Sequence, residues 1–145
     1  MKALKLEDFP SKTFDKIRYV DTDRQGHVNN SVFSSFLETG RVEILYNADL
    51  PILSEGLSFV IVSLKLEFFQ EITWPGQVDI GTGIVKVGSS SITIYQGLFQ
   101  KGNCVAQAET IIVQVDNDSR RSSPLSDSAR QALAHWLIRE IAAES

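Results

Sequence analysis

Apolar and polar residues alternate with a period of two along most of residues 57–115, and tight-turn residues interrupt the alternation at short intervals. Successive side chains of a β-strand point to opposite faces, so this pattern marks strands with one face on a core. After Gly56, the residues Val60, Val62, Leu64, Leu66 and Phe68 alternate with Phe59, Ile61, Ser63, Lys65 and Glu67, which predicts one long strand. Pro75-Gly76 and Gly88-Ser89-Ser90 punctuate two further runs, Val78 to Val87 and Ile92 to Leu98. Gly102-Asn103 makes a briefer break before a last run, Cys104 to Val115, with Val105, Ile111, Val113 and Val115 on one face. Turns this short join antiparallel neighbours, because a parallel connection needs a longer crossover.

The residues before this sheet follow another rule. Phe14 to Val20 is rich in strand formers and runs into the polar stretch from Asp21 to Asn30, whose Gly26 and paired asparagines mark a loop. From Ser31 onward, Phe33, Phe36, Leu37, Ile44 and Leu45 recur at three- and four-residue spacing on one side of a helix, with Asn29 or Asn30 available as its cap. Gly40 lies on that apolar side, where a missing side chain weakens the helix but admits a close neighbour. Asp116 to Pro124 reads as a loop, and Ser126 to Ala143 as a second helix carrying Leu133, Trp136, Leu137 and Ile141. The order is strand, helix, four antiparallel strands, helix: an α+β chain in which a long helix covers one face of a five-stranded antiparallel sheet. At 145 residues, 1–145 is expected to be a single domain. One helix cannot cover both faces and both edges of such a sheet, so a homodimer or homotetramer is expected.

Charge and composition exclude several classes of function. A net charge of −4 and a pI near 5.1 argue against nucleic-acid binding, which calls for a basic surface. Neither a signal peptide nor an apolar run long enough to span a bilayer is visible, so no membrane insertion and a cytoplasmic location are expected. Cys104 has no second cysteine to pair with, and it reads as a small packing residue in a reducing compartment. Two histidines, one cysteine and loop aspartates do not make a closed ligand set, so no metal is expected.

The chemistry concentrates in Tyr19-Val20-Asp21-Thr22-Asp23-Arg24-Gln25-Gly26-His27-Val28-Asn29-Asn30, which places two carboxylates, a histidine and two amides ahead of a helix N-terminus. First-turn amides of a helix lack internal acceptors and favour negative charge beyond the helix end. A carboxylate facing such a site can act as nucleophile or as general base on water, so acyl transfer is the reaction class suggested.

The decapeptide Asp21 to Asn30, followed by an apolar helix carrying Glu38 and Arg41, resembles the 4-hydroxybenzoyl-CoA thioesterase family of hotdog-fold proteins. The likeness extends from Phe14 to Val115, through Phe68-Phe69 and the Trp74-Pro75-Gly76 turn. It implies a hotdog fold and an acyl-CoA or acyl-carrier-protein thioester as substrate, with no cofactor beyond the CoA of the substrate. It further implies Asp23 as the catalytic carboxylate, the backbone N–H of Asn30 as the oxyanion donor, Asp21 as a supporting residue, and active sites at a dimer interface. The chain departs from the family at Phe33, where many relatives carry tyrosine, so a hydroxyl role there does not transfer.

Around this centre, His27 and Asn29 are expected to contact substrate, and Arg120 and Arg121 to hold the CoA phosphates, ahead of Lys86 and Lys101. Glu38 and Arg41, three residues apart, form either a surface ion pair or a contact to the partner subunit. Trp74 and Trp136 read as packing residues. Two other functions fit a fold of this kind: a hydratase or dehydratase acting on acyl thioesters, and a non-catalytic acyl-CoA-binding protein. The first would need a histidine paired with an acid on other loops, and the second a regulatory module for which the chain has no spare length.

Overall fold

A computed structural model describes residues 4–139. Its main elements are β1 (Ser11–Lys16), α1 (Val32–Leu45), β2 (Leu57–Phe68), β3 (Gln77–Val87), β4 (Ser91–Gln100), β5 (Asn103–Asp116) and α2 (Asp127–Ala134). The five strands form one antiparallel sheet in the order β1-β3-β4-β5-β2, with α1 laid across its inner face. This is the hotdog arrangement, an α+β fold.

The apolar stripe of α1 is buried as its spacing requires: Phe33, Phe36, Leu37, Ile44 and Leu45 all face the sheet. Phe33, Phe36 and Leu37 pack with Ile80, Leu98, Ala106 and Ala108 near the helix start. Ile44 and Leu45 pack with Ile84, Ile92, Ile94, Ile112 and α2 near its end. A polar belt lies between the two clusters. Buried Gln96 donates to the Leu37 carbonyl at 2.8 Å and to Thr82 Oγ1 at 3.0 Å. Gly40 lets the helix come this close, since a Cβ there would stand 2.5 Å from Thr82 Oγ1 and 2.6 Å from Gln96 Nε2.

Several expectations are corrected. The first strand occupies Ser11–Lys16 rather than Phe14 to Val20, because Tyr19–Asp21 tightens into a 3₁₀ turn whose N-cap amide, Arg18 N–H, donates to Asp21 Oδ2 at 2.8 Å. In β2 the alternation does not keep one face throughout: a bulge between Ile61 and Ser63 puts Ile61 opposite Ile112 and Leu64 opposite Thr110, on the same side of the sheet. In β5 the buried set on the helix side is Ala106, Ala108, Thr110, Ile112 and Gln114, so Ile111, Val113 and Val115 face away. The second helix ends at Ala134, not Ala143, because Trp136 to Ile138 turns to bond Ile84 on β3, an edge that β1 leaves open beyond Thr82. Ile141 and Ala143 lie outside the described residues. The outer face of the sheet is not bare either, since Leu4, Phe9 and Ile138 pack there against Tyr95 and Phe99.

Candidate active site

The loop between β1 and α1 is built on its two aspartates, which do different work. Asp21 is 3% exposed. Its carboxylate accepts from the Arg18 backbone and guanidinium, both at 2.8 Å, and its carbonyl accepts the Asn29 N–H at 2.9 Å. That commitment makes it a clamp on the loop. Asp23 is exposed and closes a tight turn. Its Oδ1 accepts from the backbone N–H of Gln25 at 2.8 Å and of His27 at 3.2 Å, and its own N–H donates to the His27 carbonyl at 2.8 Å. Gly26 supplies the left-handed backbone, φ 78°, that lets the turn close. The other carboxylate oxygen, Oδ2, has no protein partner among the described residues.

The start of α1 is arranged so that one amide stays free. Asn29 Oδ1 accepts from Ser31 N–H and Ser31 Oγ, each at 3.1 Å, in the turn that precedes the helix, so the N-cap position falls to Ser31, whose side chain makes no cap bond, rather than to Asn29 or Asn30 as expected. The Val32 and Phe33 amides bond back to the Asn29 and Asn30 carbonyls. No acceptor among the described residues takes the Asn30 N–H.

These groups meet in a cleft of about 440 Å³ lined by Asp23, His27, Asn29, Asn30 and Phe33 from the loop and helix, and by Phe68 to Glu71 from the end of β2. Phe33 and Phe68 meet edge to face, with ring centroids 4.9 Å apart, and form the apolar wall. Segment 72–74 pairs with residues 26–28: Val28 N–H bonds the Ile72 carbonyl and Trp74 N–H the Gly26 carbonyl. Gln100 braces that segment from β4 through two bonds to the Thr73 backbone.

Two features escaped the sequence reading. Glu71 belongs to the cleft, and its Oε2 lies 3.1 Å from His27 Nε2. Phe68 and Phe69 form part of the same wall. The only signal for Glu71 is a carboxylate two residues before Thr73, and which residue pairs with His27 is set by a register no local pattern reveals. Conversely, Glu38 and Arg41 form no ion pair within the described residues: Arg41 is buried beneath the helix, 3.4 Å from Gln96 Oε1, and burial lowers its pKa, while Glu38 is exposed. Trp136 packs in the core, whereas Trp74 is 45% exposed and edge-on to Tyr19. Cys104 is half-buried; burial pushes its thiol up, and the thiol donates to the Ala106 carbonyl at 3.4 Å.

Arg120 and Arg121 are not brought to the cleft within one chain. They sit in the turn after β5, where Asp116 pairs with Leu57 at the opposite end of β2 from Phe68. At about 3.3 Å per residue, the strand between them spans roughly 35 Å. Among the described residues no lysine or arginine lines the cleft, whose ionisable groups are Asp23, His27 and Glu71. Lys101 occupies the β4–β5 turn and Lys86 the end of β3, neither in the cleft.

A family model described as the thioesterase-like superfamily matches residues 17–136. The chain is 25% identical over 105 residues to the acyl-CoA thioester hydrolase YbgC of Escherichia coli, covering 70% of this chain and 78% of that protein. The crystal structure of the PA5185 protein from Pseudomonas aeruginosa superposes with a TM-score of 0.81 at 25% identity, over 92% of this chain and 95% of that one. A Thermus thermophilus thioesterase, solved with coenzyme A and zinc, shares the fold with a TM-score of 0.76 at 24% identity, over 94% of this chain and 97% of that one.

Proposed function

The chain belongs to the thioesterase-like superfamily and is a thioesterase, and from that premise we propose that it hydrolyses acyl-CoA with Asp23 as the reacting carboxylate and the Asn30 N–H as oxyanion donor. One observation carries this reading: a carboxylate oxygen and a helix-start amide, neither claimed by the protein among the described residues, share one cleft. A thioester carbonyl seated on the Asn30 amide lies where the α1 dipole favours the negative charge that develops on oxygen. Asp23 either takes the proton of an attacking water or attacks the carbonyl itself, and water then opens the resulting anhydride. Both routes give a carboxylic acid and free CoA, and neither needs a metal or organic cofactor. The acyl group rests on Phe33 and Phe68, and His27 and Asn29 line the approach. Within the superfamily, the decapeptide Asp21 to Asn30 supports a place beside the 4-hydroxybenzoyl-CoA thioesterases.

The CoA phosphates need cations, which the described lining of the cleft does not supply. β2 lies at the edge of the sheet, paired only with β5 among the described residues, with Ile61, Val62, Leu64 and Phe68 exposed. Two copies joined antiparallel along β2 cover that edge and bring Arg120 and Arg121 of one beside the Phe68 end of the other. The functional unit in this reading is a homodimer, able to double to a tetramer. No helix among the described residues is long and apolar enough to cross a membrane, and an acyl-CoA substrate suits a cytoplasmic location.

The test is thiol release from short, long and aromatic acyl-CoAs. Asp23→Asn should lower turnover by roughly 10²–10⁴, the contribution of a lost general base, while circular dichroism shows a folded protein. Near-wild-type turnover in that variant refutes the assignment.

A further inference from the structure

Glu71 takes no part in the reaction as described above, yet its carboxylate lies 3.1 Å from His27 in the same cleft as Asp23 and Asn30. The pairing of residues 26–28 with 72–74 explains the meeting. His27 stands opposite Thr73, so Glu71 is its diagonal neighbour on one face of that small ladder. Glu71 is 67% exposed, and an ion pair so accessible contributes little to folding. Its placement makes better sense in the chemistry.

Hydrolysis of a thioester requires the C–S bond to break, and an alkyl thiolate is a basic leaving group. Asp23 and Asn30 both serve the carbonyl side, which leaves the sulfur without a proton donor. We propose that His27 is the catalytic acid for the departing thiolate and that Glu71 is the positioning residue that holds it, an inference that rests on the thioesterase reading above. The Glu71 carboxylate, 3.1 Å from Nε2, holds that side of the ring, and Nδ1, which has no partner among the described residues, faces the task of donation. When His27 carries both ring protons, the C–S electron pair goes to sulfur and the Nδ1 proton follows it, giving the free thiol. The imidazole is left neutral and regains its proton from water. Nothing is oxidised or reduced, and the step is the same whether Asp23 acts as base or as nucleophile.

The experiment compares two thioesters of one acyl group, one on N-acetylcysteamine and one on thionitrobenzoate, whose aryl thiolate leaves without help. For His27→Gln, kcat/KM should fall roughly 10²-fold on the alkyl thioester, the scale of general-acid catalysis, and for Glu71→Gln about tenfold. Whatever either variant loses on both substrates through binding, the alkyl-to-aryl ratio of kcat/KM should fall by those same factors, and the double variant's ratio should be no lower than that of His27→Gln alone, since the two act as one unit. Each ratio of the two substrates is read on one preparation, so partial misfolding lowers both rates and leaves the ratio intact. Equal losses on the two thioesters, or no loss on either, overturn the proposal. Asp23→Asn serves as the separate control: it should fail on both substrates, and full activity there would refute the thioesterase mechanism, whatever the leaving-group ratio shows.

Discussion

Asp21 and Asp23 are two residues apart and chemically identical, and burial alone divides their labour. Asp21 has its acceptors filled by Arg18 and is sealed from water, so it holds the loop; Asp23 spends one oxygen on its own turn and offers the other to the cleft. A single residue outside the cleft also controls how the fold meets high pH. The phenol of Tyr95 is pushed up to about 12, first by burial and then by the neighbouring Cys104, Glu67 and Glu109, while its hydroxyl donates to Gln107 Oε1 at 2.6 Å. The unfolded phenol titrates near 10. Below that pH both states are neutral and stability is unaffected; between about 10 and 12 the unfolded chain ionises and the folded chain resists, so stability falls as pH rises. We expect on the order of 2 kcal/mol to be lost across that window, and Tyr95→Phe to flatten this part of the decline. Urea unfolding midpoints of both proteins from pH 8 to 12 give the measurement.

Among the elements, α1 decides the most. Its N-terminus presents the Asn30 amide, and its middle rests on Gln96 and Thr82 at a distance set by Gly40. Gly40→Ala poses two effects against each other. Alanine raises helix propensity by about 1 kcal/mol, but its Cβ would lie 2.6 Å from Ile80 Cγ2 as well as against the Thr82 and Gln96 side chains. Overpacking a buried site typically costs about 1–3 kcal/mol, and the clash involves three neighbours on two strands. The variant should therefore be less stable, by about 1–2 kcal/mol net, in denaturant unfolding. A more stable variant would mean that the helix lifts from the sheet without penalty. In β2 the decisive element-level feature is the bulge, which turns Ile61 and Leu64 to the helix side and breaks the strict alternation of the strand.

At the scale of the molecule, the outer edge of β2 has no strand beside it among the described residues. Val62, 59% exposed at the bulge, sits near the middle of that edge. Val62→Lys places a charge where two copies would meet, so light scattering should show a shift toward monomer, and the Michaelis constant for acyl-CoA should rise with it. Arg120 and Arg121 changed together to Ala should raise the Michaelis constant and weaken its salt dependence while leaving the dimer intact. A monomeric wild type with unimpaired turnover would defeat this picture of the active unit.

The amino-acid sequence by itself determined the elements with strong local periodicity and the chemistry with a dense local motif. The α1 stripe, the antiparallel runs from β2 to β5 and the loop from Asp21 to Asn30 are all short-range patterns, and propensity with side-chain spacing is enough to read them. Tertiary structure alone decided what depends on register and on competition between bonding partners. β1 ends before Val20 because Asp21 captures the Arg18 amide, and α2 stops early because the chain beyond it finds an open edge at Ile84. Arg41 turned inward to Gln96, and Glu71 reached His27 across a ladder between segments more than forty residues apart. Each of these rests on a hydrogen bond or ion pair whose partner is chosen by where another element ends, and period and composition along a single segment carry no record of that choice.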